Sequence, residues 1–221
     1  MKKIFLSILL IAVISPVFAQ NVKYGISGGL NESILSLQNP AGNSNSRLTG
    51  FHAGVFSDID FGKLSIEPGL FYTTKGEKNT AVLYQYTSPG GSFIAKGKTT
   101  YNYLEIPVNV LYNIPIGVGK FFIGGGPYIA YGLSGKTTGT TIIATQNGTT
   151  TTSNDYPLTF GSQEGDIKRF DFGLGALGGF ALKNGLLVSV GYEHGLTNID
   201  HSSDDHIKNN VITVSLGYSF L

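Results

Sequence analysis

From about residue 22 onward the chain reads in twos. Apolar side chains fall on alternate positions in eight runs: Val22–Leu30, Leu48–Ser57, Leu64–Lys75, Tyr101–Tyr112, Phe121–Tyr131, Arg169–Phe180, Leu186–His194 and Asn210–Phe220. A period of two is the strand period, and no segment shows a convincing helical stripe. The runs are about 9–12 residues long, which exceeds the usual soluble strand and suits a strand crossing a bilayer at a tilt. One parity holds residues such as Val22, Tyr24 and Ile26, Leu104, Ile106 and Val108, Leu186, Val188 and Val190, and Val214 and Leu216. No Asp, Glu, Lys or Arg stands on it. The opposite parity holds Lys23, His52, Glu67, Lys75, Glu105, Arg169, Asp171 and Glu193, with serines, Asn109 and many glycines.

The connections carry a second pattern. Asp58–Lys63, Asn113–Lys120 and Ala181–Gly185 are short and turn-like, whereas Asn31–Arg47, Gly76–Thr100, Gly132–Lys168 and Gly195–Asn209 are long and polar. Short and long alternate strictly, so antiparallel strands would gather all the turns at one end and all the loops at the other. That is the layout of an outer-membrane barrel, with periplasmic turns and longer external loops. Aromatics then fall in two outward belts. Tyr112, Phe121, Phe180, Tyr218 and Phe220 lie toward the turns, and Tyr72, Tyr131, Phe170 and Tyr192 toward the loops, where amphipathic rings meet headgroups. The predicted fold is all-β: an eight-stranded antiparallel up-and-down transmembrane β-barrel with short periplasmic turns and long external loops. A soluble barrel or sandwich would also alternate, but would need neither carboxylates on the inward face nor paired aromatic belts.

The first residues read as an address. Met1-Lys2-Lys3, the apolar run Ile4–Ile14 and the close on Val17-Phe18-Ala19 follow the order of a secretory signal peptide. Residues 1–19 are therefore expected to be cleaved, and residues 20–221 to form the barrel domain in the bacterial outer membrane. Composition agrees: of 221 residues 13% are charged and 31 are glycine, with 12 Tyr, 14 Phe and no Trp. The formal charge of +1 becomes −1 once Lys2 and Lys3 leave with the leader, which excludes a nucleic-acid binder. With no cysteine there is no disulfide scaffold, thiolate metal site or thiol nucleophile.

Several short motifs resemble the PorT-type outer-membrane β-barrel family. They are Tyr103-Leu104-Glu105-Ile106-Pro107, Gly125-Gly126-Pro127-Tyr128, Asp171-Phe172-Gly173 and Gly195-Leu196-Thr197-Asn198-Ile199, between the opening Gly28-Gly29-Leu30-Asn31 and the closing Gly217-Tyr218-Ser219-Phe220. The resemblance spans the mature chain and departs from the pattern in Leu221, since such barrels usually end on the aromatic. It implies an eight-stranded outer-membrane barrel and carries over no common catalytic site. The family's namesake is linked to a protein-secretion pathway, so an accessory role in secretion is one alternative function.

Two enzyme-like patterns fail on context. Gly173-Leu174-Gly175-Ala176-Leu177-Gly178 fits a dinucleotide fingerprint and Gly25-Ile26-Ser27-Gly28-Gly29 a nucleophile elbow, but each needs a helix after a strand and here falls within a strand. The inward charges Lys23, His52, Glu67, Lys75, Glu105, Arg169, Asp171 and Glu193 read as a structural polar network, because an eight-stranded interior is just wide enough for side chains to fill. Asp200, His201, Asp204, Asp205 and His206 form a candidate external cation loop whose spacing matches no defined motif. The threonine-rich stretch within Gly132–Lys168 reads either as an added external hairpin or as a surface tract. The expectation is a structural or surface-interaction barrel with no catalytic residue and no cofactor. Its partners would be outer-membrane lipid and lipopolysaccharide, the barrel assembly machinery during biogenesis, and an unidentified protein at the external loops. An outer-membrane enzyme with a rim site at Glu193, His194 and His201 is an alternative. A passive pore and a soluble periplasmic binding module rank lower.

Overall fold

The computed structural model describes residues 21–36, 44–86, 91–163, 165–200 and 207–220. Nine strands are present among them: β1 (Asn21–Ser36), β2 (Ser44–Asp60), β3 (Leu64–Tyr86), β4 (Gly91–Ile116), β5 (Gly119–Thr145), β6 (Gly148–Leu158), β7 (Phe170–Leu182), β8 (Leu186–Gly195) and β9 (Lys208–Phe220). Eight of them close a ring in the order β1-β2-β3-β4-β5-β7-β8-β9, every pairing antiparallel. The seam is β1 against β9, continuous from Tyr24 opposite Phe220 to Ser36 opposite Lys208. β6 stands outside the ring and pairs only with the far half of β5, Gly135–Thr145.

The alternation sorts side chains as the period of two requires. Ile26, Leu30, Val55, Leu70, Ile106, Val110, Leu174, Val190, Val214 and Leu216 are exposed on the outside of the ring. Their neighbours in sequence point inward. Phe51, Tyr72, Tyr131, Phe170 and Phe172 form one outward aromatic belt, and Tyr24, Phe121, Tyr218 and Phe220 another. Tyr72, Leu104, Tyr131 and Phe170 lie in one continuous cross-strand row, and the Tyr131 and Phe170 rings meet edge to face at 5.3 Å. At the opposite belt the Tyr218 and Phe220 centroids are 5.6 Å apart.

The two ends differ as expected, with two departures. At the tight end Phe61-Gly62-Lys63, Gly117-Val118 and Lys183-Asn184-Gly185 make the turns, and Gly62 and Gly185 take positive φ. Asp58 and Lys120, expected in turns, lie inside β2 and β5. At the other end most of the stretches read as loops are strand. β3, β4 and β5 continue far beyond the ring, and β6 joins them to make a projecting four-stranded sheet. The threonine-rich segment is therefore a hairpin: Thr140, Thr141 and Ile142 of β5 face Ser153, Thr152 and Thr151 of β6. The physical reason is that Thr and Ile favour the extended pleated backbone even where both faces are polar.

The inner wall is narrow enough to demand glycine. A Cβ on Gly126 of β5 would be driven into the Val108 carbonyl of β4. Gly126→Val is expected to cost about 1–3 kcal/mol through this overpacking, lowering the fraction of protein that shows heat-modifiable gel mobility after refolding in detergent. A wild-type folded fraction in that variant would mean the wall tolerates the side chain.

Candidate functional site

The inward residues assemble into layers along the lumen. The most buried layer centres on Lys75, whose side chain is 0% exposed. Its Nζ lies 2.6 Å from Glu105 and 2.9 Å from Glu193, and sits 4.2 Å from the centre of the Tyr128 ring. Asp171, also fully buried, accepts hydrogen bonds from Asn209 Nδ2 at 2.9 Å and from the Tyr128 hydroxyl at 3.4 Å. Six strands thus contribute to one layer. An ammonium this far from water is tolerated only when carboxylates and a ring face replace its hydration.

A second cluster joins β1, β2, β3 and β9. Asn31 spends its amide nitrogen on the Phe51 carbonyl, the Thr73 hydroxyl and the Thr74 carbonyl. Its Oδ1 must therefore accept from His52 Nδ1 at 2.6 Å, which leaves His52 Nε2 against Ser215 Oγ at 2.9 Å. Near the turns Lys120 pairs with Asp58 at 2.8 Å, and Asn113 donates to Ser65 Oγ at 3.1 Å.

Two cavities lie along this interior. One of about 110 Å³ is lined by His52, Glu67, Glu105, Asn109, Tyr128 and Ser215 among others. The other, about 270 Å³, lies at the turn end and is lined by Lys23, Asp58, Glu67, Asn113 and Lys120 among others. Phe56, Glu67, Phe122 and Leu187 border both and form the waist between them. The opposite end is closed by apolar packing. Phe160 and Ile167, after β6, and Ile199, after β8, are buried with Leu35, Tyr101 and Tyr103. The Phe160 ring stands edge-on to Tyr101 and Tyr103 at 6.4 and 6.2 Å and covers the bare backbone of Gly132. Backbone bonds from Ile167 to Thr159, from Lys168 to Ile199 and from Ile199 to Ile207 fix the cap in place.

Of the inward charges expected from sequence, Lys75, Glu105 and Glu193 are brought into contact, with Asp171 joined to them through Tyr128. His52 belongs to the Asn31 cluster, Glu67 to the waist, and Lys23 to the turn-end cavity. Arg169 lies apart from them all. It is exposed at the rim, donates to the Phe160 carbonyl at 2.7 Å and stands 5.7 Å from the Tyr131 ring, because it precedes β7 and anchors the cap from outside. Asp58, Lys120, Tyr128, Asn31 and Asn209 were not expected as members; the inward parity of Tyr128 and Asn31 was the available signal.

Glu193 and His194 point to opposite faces of β8. Glu193 turns in to Lys75, while exposed His194 bonds Asn210 Oδ1 through Nδ1 at 2.6 Å, so the two do not converge on a rim site. Of the expected cation loop, Asp200 is described and its backbone N–H bonds Asn198 Oδ1; His201, Asp204, Asp205 and His206 lie outside the described residues. Among the described residues no three His, Asp or Glu side chains are grouped for a metal ion. On the projecting sheet, hydrogen bonds from Lys136 and Thr138 hold the Asp155 carboxyl below the usual carboxylate range.

Lys75→Met strands the buried Glu105 and the partly buried Glu193 and is expected to destabilise the fold by about 3–5 kcal/mol. The triple variant K75M/E105Q/E193Q should recover a large part of that loss. Urea titration followed by far-ultraviolet circular dichroism reads both, and an unchanged midpoint in Lys75→Met would remove the ion pairs from the account of stability.

The closed ring, the apolar exterior and the paired aromatic belts agree with comparisons to known proteins. A family model described as an outer membrane protein beta-barrel domain matches residues 18–201. Among curated proteins none matches. Among solved structures the chain is similar to Ail of Yersinia pestis, solved in complex with the heparin analogue sucrose octasulfate. That similarity has 14% identity and a TM-score of 0.41, covering 90% of this chain and 99% of that one. It is also similar to OprG from Pseudomonas aeruginosa, with 13% identity and a TM-score of 0.39 over 91% and 97% of the two chains. Neisserial surface protein A gives 11% identity and a TM-score of 0.38 over 90% and 99%. The chain belongs to the family of outer membrane protein beta-barrel domains.

Proposed function

We propose that this protein is a non-conducting outer-membrane barrel whose working surface is the external sheet formed by the far halves of β3, β4 and β5 with β6. The observation that carries this reading is the closed outer mouth. The apolar cap of Phe160, Ile167 and Ile199 lies against Tyr101 and Tyr103, and the barrel's interior also holds the bonded cluster of Lys75, Glu105 and Glu193. A continuous water path through such a lumen would have to part buried aromatic packing and the contacts of Lys75 with Glu105 and Glu193. The interior is thus read as a structural strut, which leaves the parts outside the membrane to act.

On the same reading residues 1–19 serve as a leader cut after Ala19, and the barrel assembly machinery inserts the mature chain. The lipid around the belts includes lipopolysaccharide, and an external protein partner meets the sheet. The narrower kinship with the PorT type rests on Tyr103-Leu104-Glu105-Ile106-Pro107. In this motif Tyr103 packs under the cap, Glu105 pairs with Lys75 and Pro107 lines the inner cavity. Its inward residues therefore serve the strut. No observation favours the enzymatic alternative, since Glu193 is occupied by Lys75.

The test is electrical. Purified protein inserted in a planar lipid bilayer should give no steady ohmic current above that of the bare membrane. Replacing residues 139–154 by a short Gly-Ser turn should leave heat-modifiable mobility intact while abolishing the surface phenotype of a complemented deletion strain. Sustained conductance from the wild-type chain, or full complementation by the shortened one, would overturn the reading.

A further inference from the structure

His52 and Ser215 face the lumen from β2 and β9, with β1 between them, so their Cα atoms stand about 10 Å apart. The residue of β1 in their row is Gly29, paired with His52 on one side and with Ser215 on the other. With no side chain at that position, the imidazole crosses β1 and brings Nε2 to 2.9 Å from Ser215 Oγ. Asn31 fixes the other side of the ring. Its Nδ2 faces the Phe51 and Thr74 carbonyls, which can only accept, so its Oδ1 takes the His52 Nδ1 proton at 2.6 Å. In the neutral ring Nε2 is then a lone pair, and the Ser215 hydroxyl donates to it. Hydroxyl, imidazole and amide thus stand in the order of nucleophile, general base and orienting acceptor.

Ser215 also faces open space. It lines the inner cavity of about 110 Å³ together with His52. Ser189, directly opposite Ser215 in the β8–β9 pairing, lines the same cavity and sets a second hydroxyl beside the first. Phe56, Phe71 and Leu187 make part of the lining apolar, and among its described residues there is no Lys or Arg to meet an anion. A cavity of roughly 150 Å³ holds a benzene ring, so this smaller one suits an uncharged acyl group of about two to four carbons. Beyond the waist, the turn-end cavity of about 270 Å³ has room for the alcohol half of such a molecule.

We propose that Ser215 and His52, positioned by Asn31, hydrolyse small uncharged acyl esters that enter from the turn end. Ser215 Oγ attacks the carbonyl carbon as its proton passes to His52 Nε2, and the Ser189 hydroxyl donates to the oxyanion. Collapse of the adduct breaks the ester C–O bond, and His52 gives the proton to the departing alkoxide. Water then yields a proton to His52 Nε2 and its oxygen to the acyl carbon. Ser215 leaves with that proton, so ester and water become acid and alcohol. Asn31 Oδ1 keeps the imidazole in the tautomer these transfers need. The chemistry goes beyond the closed-barrel reading without disturbing it, because neither the cap nor Lys75 is crossed. It is separate from the rim, where Glu193 and His194 diverge.

The test uses the full chain folded in a neutral maltoside detergent. Methanesulfonyl fluoride is small enough for the cavity and should sulfonylate Ser215. The S–F bond breaks, an Oγ–S bond forms, fluoride leaves and the proton passes through His52 to solvent. Mass spectrometry of the proteolysed chain locates the adduct, which the chain unfolded in urea should not form. Nitrophenyl acetate should be hydrolysed, and S215A and H52Q should each slow that reaction at least about 100-fold. S27A, at another point of the same lining, should match wild type. N31A should lower kcat about 100-fold with KM unchanged. Heat-modifiable mobility checks that each variant is folded. A folded wild-type chain with no adduct on Ser215, or labelling as fast in H52Q, would refute the proposal. Nitrophenyl octanoate hydrolysed as fast as the acetate would overturn the inner cavity as the acyl site.

Discussion

Hydrocarbon offers no partner to a peptide group, so a chain that crosses it in strands must leave no edge within the bilayer. The β1–β9 seam meets that demand by pairing the first strand with the last along nearly its whole length. Once the ring is closed, parity does the rest. One set of side chains faces lipid and must be apolar, and the other faces a bore about as wide as two side chains. Polar groups that would be costly outside are collected inside, where they find one another.

The interior solves a packing problem and an electrostatic one with the same residues. Lys75 is long enough to cross from β3 toward β8 and reaches Glu193 as well as the adjacent Glu105, so a single cation holds two walls together. Tyr128 fills space beneath it while orienting Asp171. Such networks are strongly specified, because removal of one member strands the others without water. The cap depends on a different principle. Phe160 can lie flat on β5 only because position 132 is glycine, and the Arg169 bond to the Phe160 carbonyl ties the cap to the base of β7.

Much of this was legible in the chain. The lipid face could be read from Val188 and Val190 or Ile106 and Val108 by parity alone, and the belts from Tyr72, Tyr131 and Phe170. What escaped were effects that parity does not encode. Leu133 adds one residue to β5 and resets every face beyond it, which made Lys136 unreadable by counting. Arg169 has inward parity by count, but it lies where the strand has not yet begun, so alternation does not govern it. Asp58 and Lys120 looked like turn residues because they bound short stretches that hold Gly62, or Pro115 and Gly117, yet their ion pair lies within paired strands. The projecting sheet was hidden because polar, threonine-rich strands exposed on both faces carry no hydrophobic alternation to read.

β4 and β5 run unbroken through the wall and on to the far end of the sheet. From Tyr131 to Thr145 β5 covers about 45 Å of strand. Beyond the extra residue at Leu133 the strands run on to the hairpin turn at Gln146 and Asn147, which stands off the ring like a mast stepped in a hull. Anything approaching the cell, whether a phage tail, an antibody or a neighbouring cell, would encounter that tip before the barrel. A pull on the tip would run along the strands into the wall as shear across the whole ladder of β4–β5 hydrogen bonds. Ladders loaded in shear resist together, whereas those peeled from an end yield one bond at a time.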